Sequence, residues 1–265
     1  MNSIPPTTQV LAAFRLVEDV VPTHTRNVWR VGSVALKRVD HQAAVEWVSE
    51  LLTGMRPGPD FRVLSPIVAV DGRWVVDGWA ASTWIQGVVD GSRWHDLLDA
   101  GARFHDWLSD VARPGWIEEV DDPWRASDRM AWDEQPVVVR SEFASLVEEL
   151  AAMKRPIAAT SQLVHGDLTG NVLFTEGTAP GIIDLSLYWR PAGYAAAIVA
   201  VDCFEWEGVG AEVLDYVSAL RGGEQLLVRA ALFRIVRAGM VNWANAEDRL
   251  RIHRKTVSAL HSRIA

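Results

Sequence analysis

The chain has 265 residues, of which 49% are hydrophobic and 23% are charged, and its formal net charge is −8. This composition excludes collagen-like, low-complexity and disordered proteins, and it supplies enough apolar side chains for one large or two small domains. An acidic chain lacks the basic face that nucleic acid requires, so we expect no nucleic-acid partner. The acidic balance favours either a cationic small substrate or solubility alone.

The N-terminal residues lack the basic start and apolar stretch of a signal peptide, and the apolar, charge-free run of residues 191–201 is too short to span a bilayer. We therefore expect a cytoplasmic protein with no membrane partner. The single cysteine, Cys203, has no partner for an internal disulfide and is interpreted as a small buried residue.

The first third of the chain predicts a small antiparallel sheet with one packed helix. "QVLAAFRLVEDVV" predicts a helix over residues 9–21 that ends at Pro22. "NVWRVG" and "SVALKRVD" predict a β-hairpin with Gly32 and Ser33 in its turn. "HQAAVEWVSELLTGM" predicts a helix, and the runs around Asp71-Gly72 predict a second hairpin.

Beyond Ala80 the pattern is mainly helical, interrupted by the short β-rich segments "QLVHGDL", "NVLFTEG" and "PGIIDLS". The sequence therefore predicts an α+β protein with two domains. We place a β-rich domain at residues 1–80 and a larger helical domain at residues 81–265, with a connector near residues 79–87.

Three polar residues stand at the ends of the predicted strands in "LVHGDLTGNVLFTEGTAPGIIDLS". If the last two strands pair, Asn171 and Asp184 come to the same end, where two oxygen ligands suit Mg²⁺. Asp167 is then left to orient or deprotonate an attacking hydroxyl. Each residue taken singly is typical of a turn, but the combination indicates a phosphoryl-transfer site.

"HGDLTGNVLF" followed by "IIDLS" resembles the catalytic and metal-binding segments of the aminoglycoside phosphotransferase group, which has the protein-kinase-like bilobal fold. "VALKRV" resembles the strand that carries the nucleotide lysine, and the order of elements matches over roughly residues 10–260. "WRVGSVALK" and "SLYWRP" are similar to segments from an actinobacterial branch of this group.

The resemblance implies a role for each matching residue. Asp167 corresponds to the catalytic aspartate, Asn171 and Asp184 to the Mg²⁺ ligands, and Lys37 to the lysine that holds the α- and β-phosphates of ATP or GTP. The partner of that lysine is an acid on the following helix. Glu46 is favoured over Glu50, which lies one turn further on.

Other nucleotide contacts are also implied. Residues 79–83 match the connector whose backbone binds adenine, here through Trp79 to Ala81. The phosphate loop has no glycine run, so Thr23, Thr25 and Arg26 are the candidates to replace its amides with hydroxyls and a cation.

Two further features concern the catalytic segment and the acceptor. The spacing from Asp167 to Asn171 is four residues, one fewer than is usual in the group, and Gly170 is suited to absorb the difference. His165 is interpreted as a brace for the loop. Asp202 and Glu205 share one helical face and are candidates to bind a cationic acceptor, the alternative being a solvated helix end.

The predicted function is a small-molecule kinase that transfers the γ-phosphoryl of Mg·ATP, or Mg·GTP, to a hydroxyl of an aminoglycoside, sugar or amino alcohol. The alternative is a nucleotide-binding pseudokinase with a regulatory or scaffolding role, which the unusual phosphate loop favours and the retained polar residues oppose.

Overall fold

The computed structural model describes residues 4–25, 27–56 and 58–264 and divides into two compact units. The first unit comprises the chain up to Val88 together with Pro114–Ile117 and Leu173–Ile183, and the remaining residues form the second unit. Residues 173–183, which the sequence placed in the helical domain, join the first unit because Phe174 exchanges backbone hydrogen bonds with Val88 at 2.9 and 3.0 Å.

The first 88 residues form two helices and a set of short strands. Their bounds are α1 Thr8–Ala13, β1 Val20–Pro22, β2 Val28–Val31, β3 Val34–Arg38, α2 Gln42–Gly54, β4 Arg62–Val63, β5 Pro66–Ile67, β6 Val75–Val76 and β7 Trp79–Thr83.

An antiparallel sheet in the order β1-β2-β3-β7-β5, with β6 also paired to β7, forms the body of the first unit. The predicted hairpin around Gly32 is confirmed, with Val31 opposite Val34, and so is helix α2. One face of the sheet packs on α1 through residues such as Val10, Phe14 and Leu36. Because side chains alternate along a strand, Lys37 lies on the other, exposed face of β3.

The helix predicted over residues 9–21 is wrong in its second half. Helix α1 ends at Ala13, and Arg15 adopts the left-handed conformation with φ 56°, which a helix does not continue through. Residues 20–22 instead form β1, in which Val20 pairs with Val31. Pro22 fits this strand because β1 lies at the sheet edge, where a missing N–H donor costs no ladder bond.

The second predicted hairpin is displaced by six residues. A turn does form at Asp71-Gly72, closed by the Ala69 N–H donating to the Arg73 carbonyl at 2.9 Å. The tight two-residue turn lies at Asp77-Gly78, between β6 and β7, where φ is 49° and 74°. Positive φ at both positions is the requirement of a type I′ turn, which matches the twist of paired strands.

The rest of the chain contains a short 3₁₀ turn at Gly91–Arg93, the remaining helices and four short strands. Their bounds are α3 Trp94–Trp107, α4 Trp116–Glu119, α5 Pro123–Ala131, α6 Ser141–Met153, β8 Gln162–His165, β9 Val172–Leu173, β10 Gly181–Ile182, β11 Leu187–Arg190, α7 Ala192–Trp206, α8 Glu212–Ser218, α9 Gly223–Gly239 and α10 Ala246–His261.

Helix α9 lies at the centre of the second unit, where α5, α6, α7, α8 and α10 all pack against it. Helix α7, which contains most of the charge-free run of residues 191–201, is buried in this core. No helix in the described ranges combines the length and the hydropathy needed to cross a membrane.

A buried ion pair fixes α5 against β11 in this unit. The Arg190 guanidinium donates to Asp128 at 2.7 Å and also to Glu134. Burial raises the pKa of the Asp128 carboxyl, and Arg190 opposes that shift by stabilising the carboxylate. Because an unpaired charge at this depth is strongly destabilising, the pair holds α5 in one position.

We expect Gly78→Ala to lower the free energy of unfolding by about 1–2 kcal/mol, because an L side chain is strained at φ 74°. The added Cβ would also lie 3.2 Å from Cζ of Arg38. Urea denaturation measures the change. The control is Gly54→Ala, at the end of α2, where a Cβ has open space. Equal unfolding midpoints for the two variants would contradict the assigned turn.

Candidate active site

The segment predicted to be catalytic, which contains Asp167, leaves the core at the end of β8. This buried strand pairs with β11, placing His165 opposite Leu187, and the Gly166 N–H donates to the Ser186 carbonyl at 2.9 Å. A Cβ on Gly166 would lie 2.6 Å from the Tyr188 ring, so only glycine permits this approach. The next residue, Asp167, has 39% of its side chain exposed and is thus accessible to a substrate.

Two buried histidines brace this segment. Nδ1 of His165 accepts the Asp167 N–H at 3.1 Å, and Nε2 of His105 accepts the His165 N–H at 3.0 Å. Burial, together with the neighbouring His165, lowers the pKa of His105 to about 3, so that ring stays neutral and able to accept. The interpretation of His165 as a brace is confirmed. His105, on α3, carries no local motif and was missed.

Asn171 closes the turn that follows Asp167. Its Nδ2 donates to the Asp167 carbonyl at 2.7 Å and to Oδ2 of the same residue at 3.3 Å. Its own N–H donates to the Leu168 carbonyl at 2.9 Å, and Gly170 adopts φ 84°. The four-residue spacing is therefore accommodated by a tight turn. Since Nδ2 is held by Asp167, the amide oxygen of Asn171 is the atom left for a metal ion.

Asp184 stands two residues after β10, in a left-handed conformation with φ 49°. Strands β9 and β10 are neighbours in one sheet, as predicted, and the short connection between them requires an antiparallel pair. Asn171 precedes β9 and Asp184 follows β10, so both lie at the same end of this pair. A strained aspartate next to a catalytic turn is typical of a functional site.

The donor set fits Mg²⁺. This cation favours one or two carboxylate or amide oxygens and retains water and phosphate as its other ligands. Asn171 and Asp184 supply that set. The described residues contain no group of three or more His, Cys, Asp or Glu residues arranged to hold a metal ion, so they provide no site of the kind that zinc requires.

Arg234 joins the carboxylate of Asp167 to the helical core. From α9, its Nη2 donates to Oδ1 of Asp167 at 2.8 Å, and its Nε donates to Oδ1 of Asp202, on α7, at 2.7 Å. Although burial opposes it, the two carboxylates raise the pKa of Arg234 above its usual value. Sequence reasoning missed Arg234, because no local pattern marks an arginine that is 67 residues away from its partner.

Neither of the acids predicted to bind a cationic acceptor is available in this structure. Asp202 is 5% exposed, and burial raises its pKa to about 6 while Arg234 acts in the opposite direction. The side chain of Glu205 is 0% exposed, contacts Nδ1 of His253 at 3.0 Å and accepts from the Thr256 hydroxyl at 2.6 Å. Both carboxylates are used inside the protein, which corrects the expectation that they face a substrate.

Lys37 and Glu46 lie in the first unit. Lys37 stands on β3 opposite Val28 of β2 and Ala80 of β7, with its side chain exposed. Glu46 is half-buried on α2 and accepts from Nε2 of Gln42 at 2.8 Å. The choice of Glu46 over Glu50 as the partner of Lys37 stays a prediction.

The predicted phosphate loop is the turn between β1 and β2. The Thr23 hydroxyl donates to the Val28 carbonyl at 2.9 Å, so it is engaged in the turn itself. Thr25 is exposed, and its N–H donates to Oγ1 of Thr23 at 3.2 Å. Arg26 lies outside the described residues. Thr25 is thus the hydroxyl of this loop that faces solvent.

The predicted contact between adenine and the backbone of Trp79 to Ala81 conflicts with the strand pairing of these residues. These residues form the first three positions of β7, with β3 on one side and β6 and β5 on the other. Because both sides are paired, their backbone groups are committed to the ladders.

Comparisons with known proteins identify the family and the fold of the chain. The model of the phosphotransferase enzyme family matches residues 40–225, whereas no curated protein shows a significant match. A microcompartment-associated aminopropanol kinase is similar in structure, at 17% identity and TM-score 0.62, with 97% of this chain and 94% of that chain covered.

Two aminoglycoside phosphotransferases are also similar. The enzyme from Alicyclobacillus acidocaldarius has 16% identity and TM-score 0.56, with 99% of this chain and 95% of that chain covered. A thermostable mutant in ternary complex with AMP-PNP and hygromycin B has 12% identity and TM-score 0.58, with 97% and 96% covered. These likenesses confirm the predicted α+β, protein-kinase-like fold.

We expect Asp202→Asn to lower kcat for phosphoryl transfer about tenfold, a loss of about 1.4 kcal/mol of transition-state stabilisation. The reason is that Arg234 loses the charged anchor that aims it at Asp167. We expect KM for ATP to stay within twofold. The control is Glu205→Gln, a buried carboxylate on the same helix that does not contact Arg234. Steady-state kinetics measure kcat and KM for both variants. An equal loss of kcat in both would contradict the role of Asp202 in positioning Arg234.

Proposed function

Because the chain belongs to the phosphotransferase enzyme family and is an O-phosphotransferase, we propose that Asp167 is the residue at which a small acceptor molecule receives the phosphoryl group. One observation carries this proposal. Asp167 is an exposed carboxylate held on one oxygen by Arg234 and on the other by Asn171, directly after a buried strand.

In the proposed reaction, Asp167 accepts a hydrogen bond from the acceptor hydroxyl and takes its proton as the phosphoryl group is transferred. A carboxylate offers about four lone-pair sites, so the contacts from Arg234 and Asn171 leave sites on both oxygens for a hydroxyl. These contacts fix the orientation of the carboxylate before the acceptor binds. Prior positioning of this kind supplies much of the rate enhancement in phosphoryl transfer.

We propose that the amide oxygen of Asn171 and the carboxylate of Asp184 hold Mg²⁺. When bound, this ion neutralises charge on the transferred phosphate. Lys37 remains the candidate for the α- and β-phosphates of the donor, which we propose to be ATP, with GTP as the competing nucleotide.

The proposed acceptor is a small molecule with a free hydroxyl. Similar structures include an aminopropanol kinase and a spectinomycin phosphotransferase in complex with ADP and spectinomycin. The second has 14% identity and TM-score 0.51, with 92% of each chain covered. Amino alcohols and aminoglycosides are therefore the first compounds to screen, although Asp202 and Glu205 are not available to recognise their amines.

We expect ATP to bind only when both Mg²⁺ and Asp184 are present, because the carboxylate is a proposed ligand of the ion. Calorimetric titration of ATP and GTP, with and without Mg²⁺, into the wild type and Asp184→Ala measures this. The control is Asp77→Ala, which alters an exposed aspartate with the same φ of 49°. If the wild type binds neither nucleotide, the pseudokinase alternative replaces this proposal.

We expect Asp167→Asn to lower kcat about 10²–10⁴-fold, the usual contribution of a positioned general base. The affinity for Mg·ATP should change little, because this carboxylate serves the acceptor. A coupled assay of ADP release gives kcat, and calorimetry on the same variant shows that the protein remains folded and binds nucleotide. If Asp167→Asn turned over substrate at a rate close to that of the wild type, Asp167 would not be the general base.

A further inference from the structure

An exposed tryptophan lies against the arginine that holds Asp167. The centre of the Trp124 indole is 5.6 Å from Cζ of Arg234, and Nη2 of this arginine donates to Oδ1 of Asp167 at 2.8 Å. Because the bond between Cζ and Nη2 is about 1.3 Å long, the indole centre lies at most about 10 Å from that oxygen. Solvent reaches both groups, since Trp124 is 41% exposed and the side chain of Asp167 is 39% exposed. One small molecule is therefore long enough to contact both.

The contacts described for this indole all come from α9. Cζ of Arg237 lies 4.5 Å from the ring centre, and the ring of Phe233 lies 5.9 Å away. Arg234 and Arg237 are three residues apart, so they share one surface of α9 and approach the indole from the same direction. The exposed area of Trp124 is thus left on the side away from this helix.

The position of Trp124 is fixed by the structure around it. Oδ1 of Asp122 accepts the N–H of Trp124 at 2.7 Å and caps the N-terminus of α5. The ion pair between Asp128 and Arg190 holds the same helix against β11. A tryptophan held in this way offers a large, rigid contact area and loses little conformational entropy when a ligand packs on it.

The charged groups beside the indole are already engaged. Arg234 is paired with both Asp167 and Asp202, and Arg237 stacks on the indole with its Nε and Nη1 atoms buried. The accessible surface that Trp124 itself presents is an apolar ring. A molecule that reaches this ring from Asp167 therefore gains from packing rather than from ion pairing.

We infer that Trp124 binds the acceptor by stacking against a ring of it, so that cyclic acceptors, such as a pyranose or a cyclitol, are preferred over open-chain amino alcohols. This inference rests on the proposed function and assigns a specificity-determining residue to the same site. The C–H groups on one face of a sugar ring form a flat apolar surface that suits an indole. A ring stacked about 4.5 Å or more above the indole centre places its hydroxyl groups further out, within the span to Asp167.

Trp124 takes no part in the bond changes. The acceptor hydroxyl oxygen forms a bond to the γ-phosphorus of ATP, and the bond between this phosphorus and the β–γ bridging oxygen breaks. ADP leaves with that electron pair, and the hydroxyl proton passes to Asp167. The indole contributes the same binding energy before and during the transfer, so its loss must raise KM for the acceptor rather than lower kcat.

The first test compares acceptors that differ in ring closure. Methyl β-glucopyranoside is paired with glucitol, and glucosamine is paired with glucosaminitol, the open-chain amino alcohol obtained by its reduction. We expect the wild-type protein with Mg·ATP to show about tenfold higher kcat/KM for the cyclic member of a pair, the size of one aromatic contact with its buried area. Equal or better turnover of the open-chain members overturns the inference and leaves the proposed function intact.

Trp124→Ala is the variant that assigns this preference to one residue. We expect KM for the cyclic acceptor to rise about tenfold, with kcat and the kinetics of the open-chain acceptor within about twofold of the wild type. Trp124→Phe, which keeps a smaller ring, should restore part of the loss. An equal effect on cyclic and open-chain acceptors, or a loss confined to kcat, contradicts the assignment, because it would mean that the indole only supports Arg234.

The matched control is Trp206→Ala. Trp206 is 43% exposed and also packs on an arginine, with Cζ of Arg249 lying 5.1 Å from the ring centre. Its other described ring contact is with His253 on α10. We expect this variant to keep the preference for cyclic acceptors, because its indole is not in contact with Arg234.

A binding measurement keeps the inference testable even if no acceptor is phosphorylated. Methyl β-glucopyranoside and glucosamine are each added to the full chain, and saturation-transfer NMR is recorded. We expect transfer to the axial C–H groups of one ring face with the wild type and with Trp206→Ala, but not with Trp124→Ala. Transfer that needs Trp124, without any phosphoryl transfer, would retain the ring-binding surface and remove the proposed function. Transfer to neither probe, or transfer unchanged in Trp124→Ala, overturns the inference; if the alanine variant does not fold, Trp124→Phe takes its place and should show a weaker signal.

Discussion

The guanidinium of Arg234 connects the partly exposed carboxylate of Asp167 to the buried carboxylate of Asp202, and the orientation of the Asp167 side chain depends on this connection. Charges at such depth are tolerated only when paired, so the three groups constrain one another. Asp167 lies two residues after β8, Asp202 lies on α7, and Arg234 lies on α9. The orientation of the Asp167 carboxylate is therefore determined by the packing of the helical core, and His165, His105 and Asn171 restrain the backbone around it.

This pairing also decides which charges remain for a substrate. The chain is acidic overall, with a net charge of −8, and that balance favoured either a cationic acceptor or solubility alone. In the structure, Asp202 pairs with Arg234, Glu205 is used by His253 and Thr256, and Asp122 caps α5. Net charge describes the whole surface, whereas recognition depends on the few charges that the fold leaves uncompensated beside the reacting group.

The sequence predicted a local element correctly where one interaction between neighbouring residues was enough to determine it. Gly32 in a two-residue turn predicted the hairpin of β2 and β3, and the helical spacing of apolar residues predicted α2. The helix over residues 9–21 was wrong because Val20 gains more from pairing with Val31 in the sheet than from extending α1. The second hairpin was misplaced because two Asp-Gly pairs, at 71–72 and 77–78, carry the same signal, and strand pairing selects between them.

The sequence by itself determined the chemical groups of the catalytic segment and their local turn, since Asp167, Asn171 and Asp184 are positioned by bonds within a few residues and by one strand pair. Only the tertiary structure decided that Arg234 orients Asp167, that His105 supports the segment and that Glu205 is buried. Their partners are 67, 60 and 51 residues away. Side-chain contacts over such separations arise from helix packing, and no local spacing in the sequence encodes them.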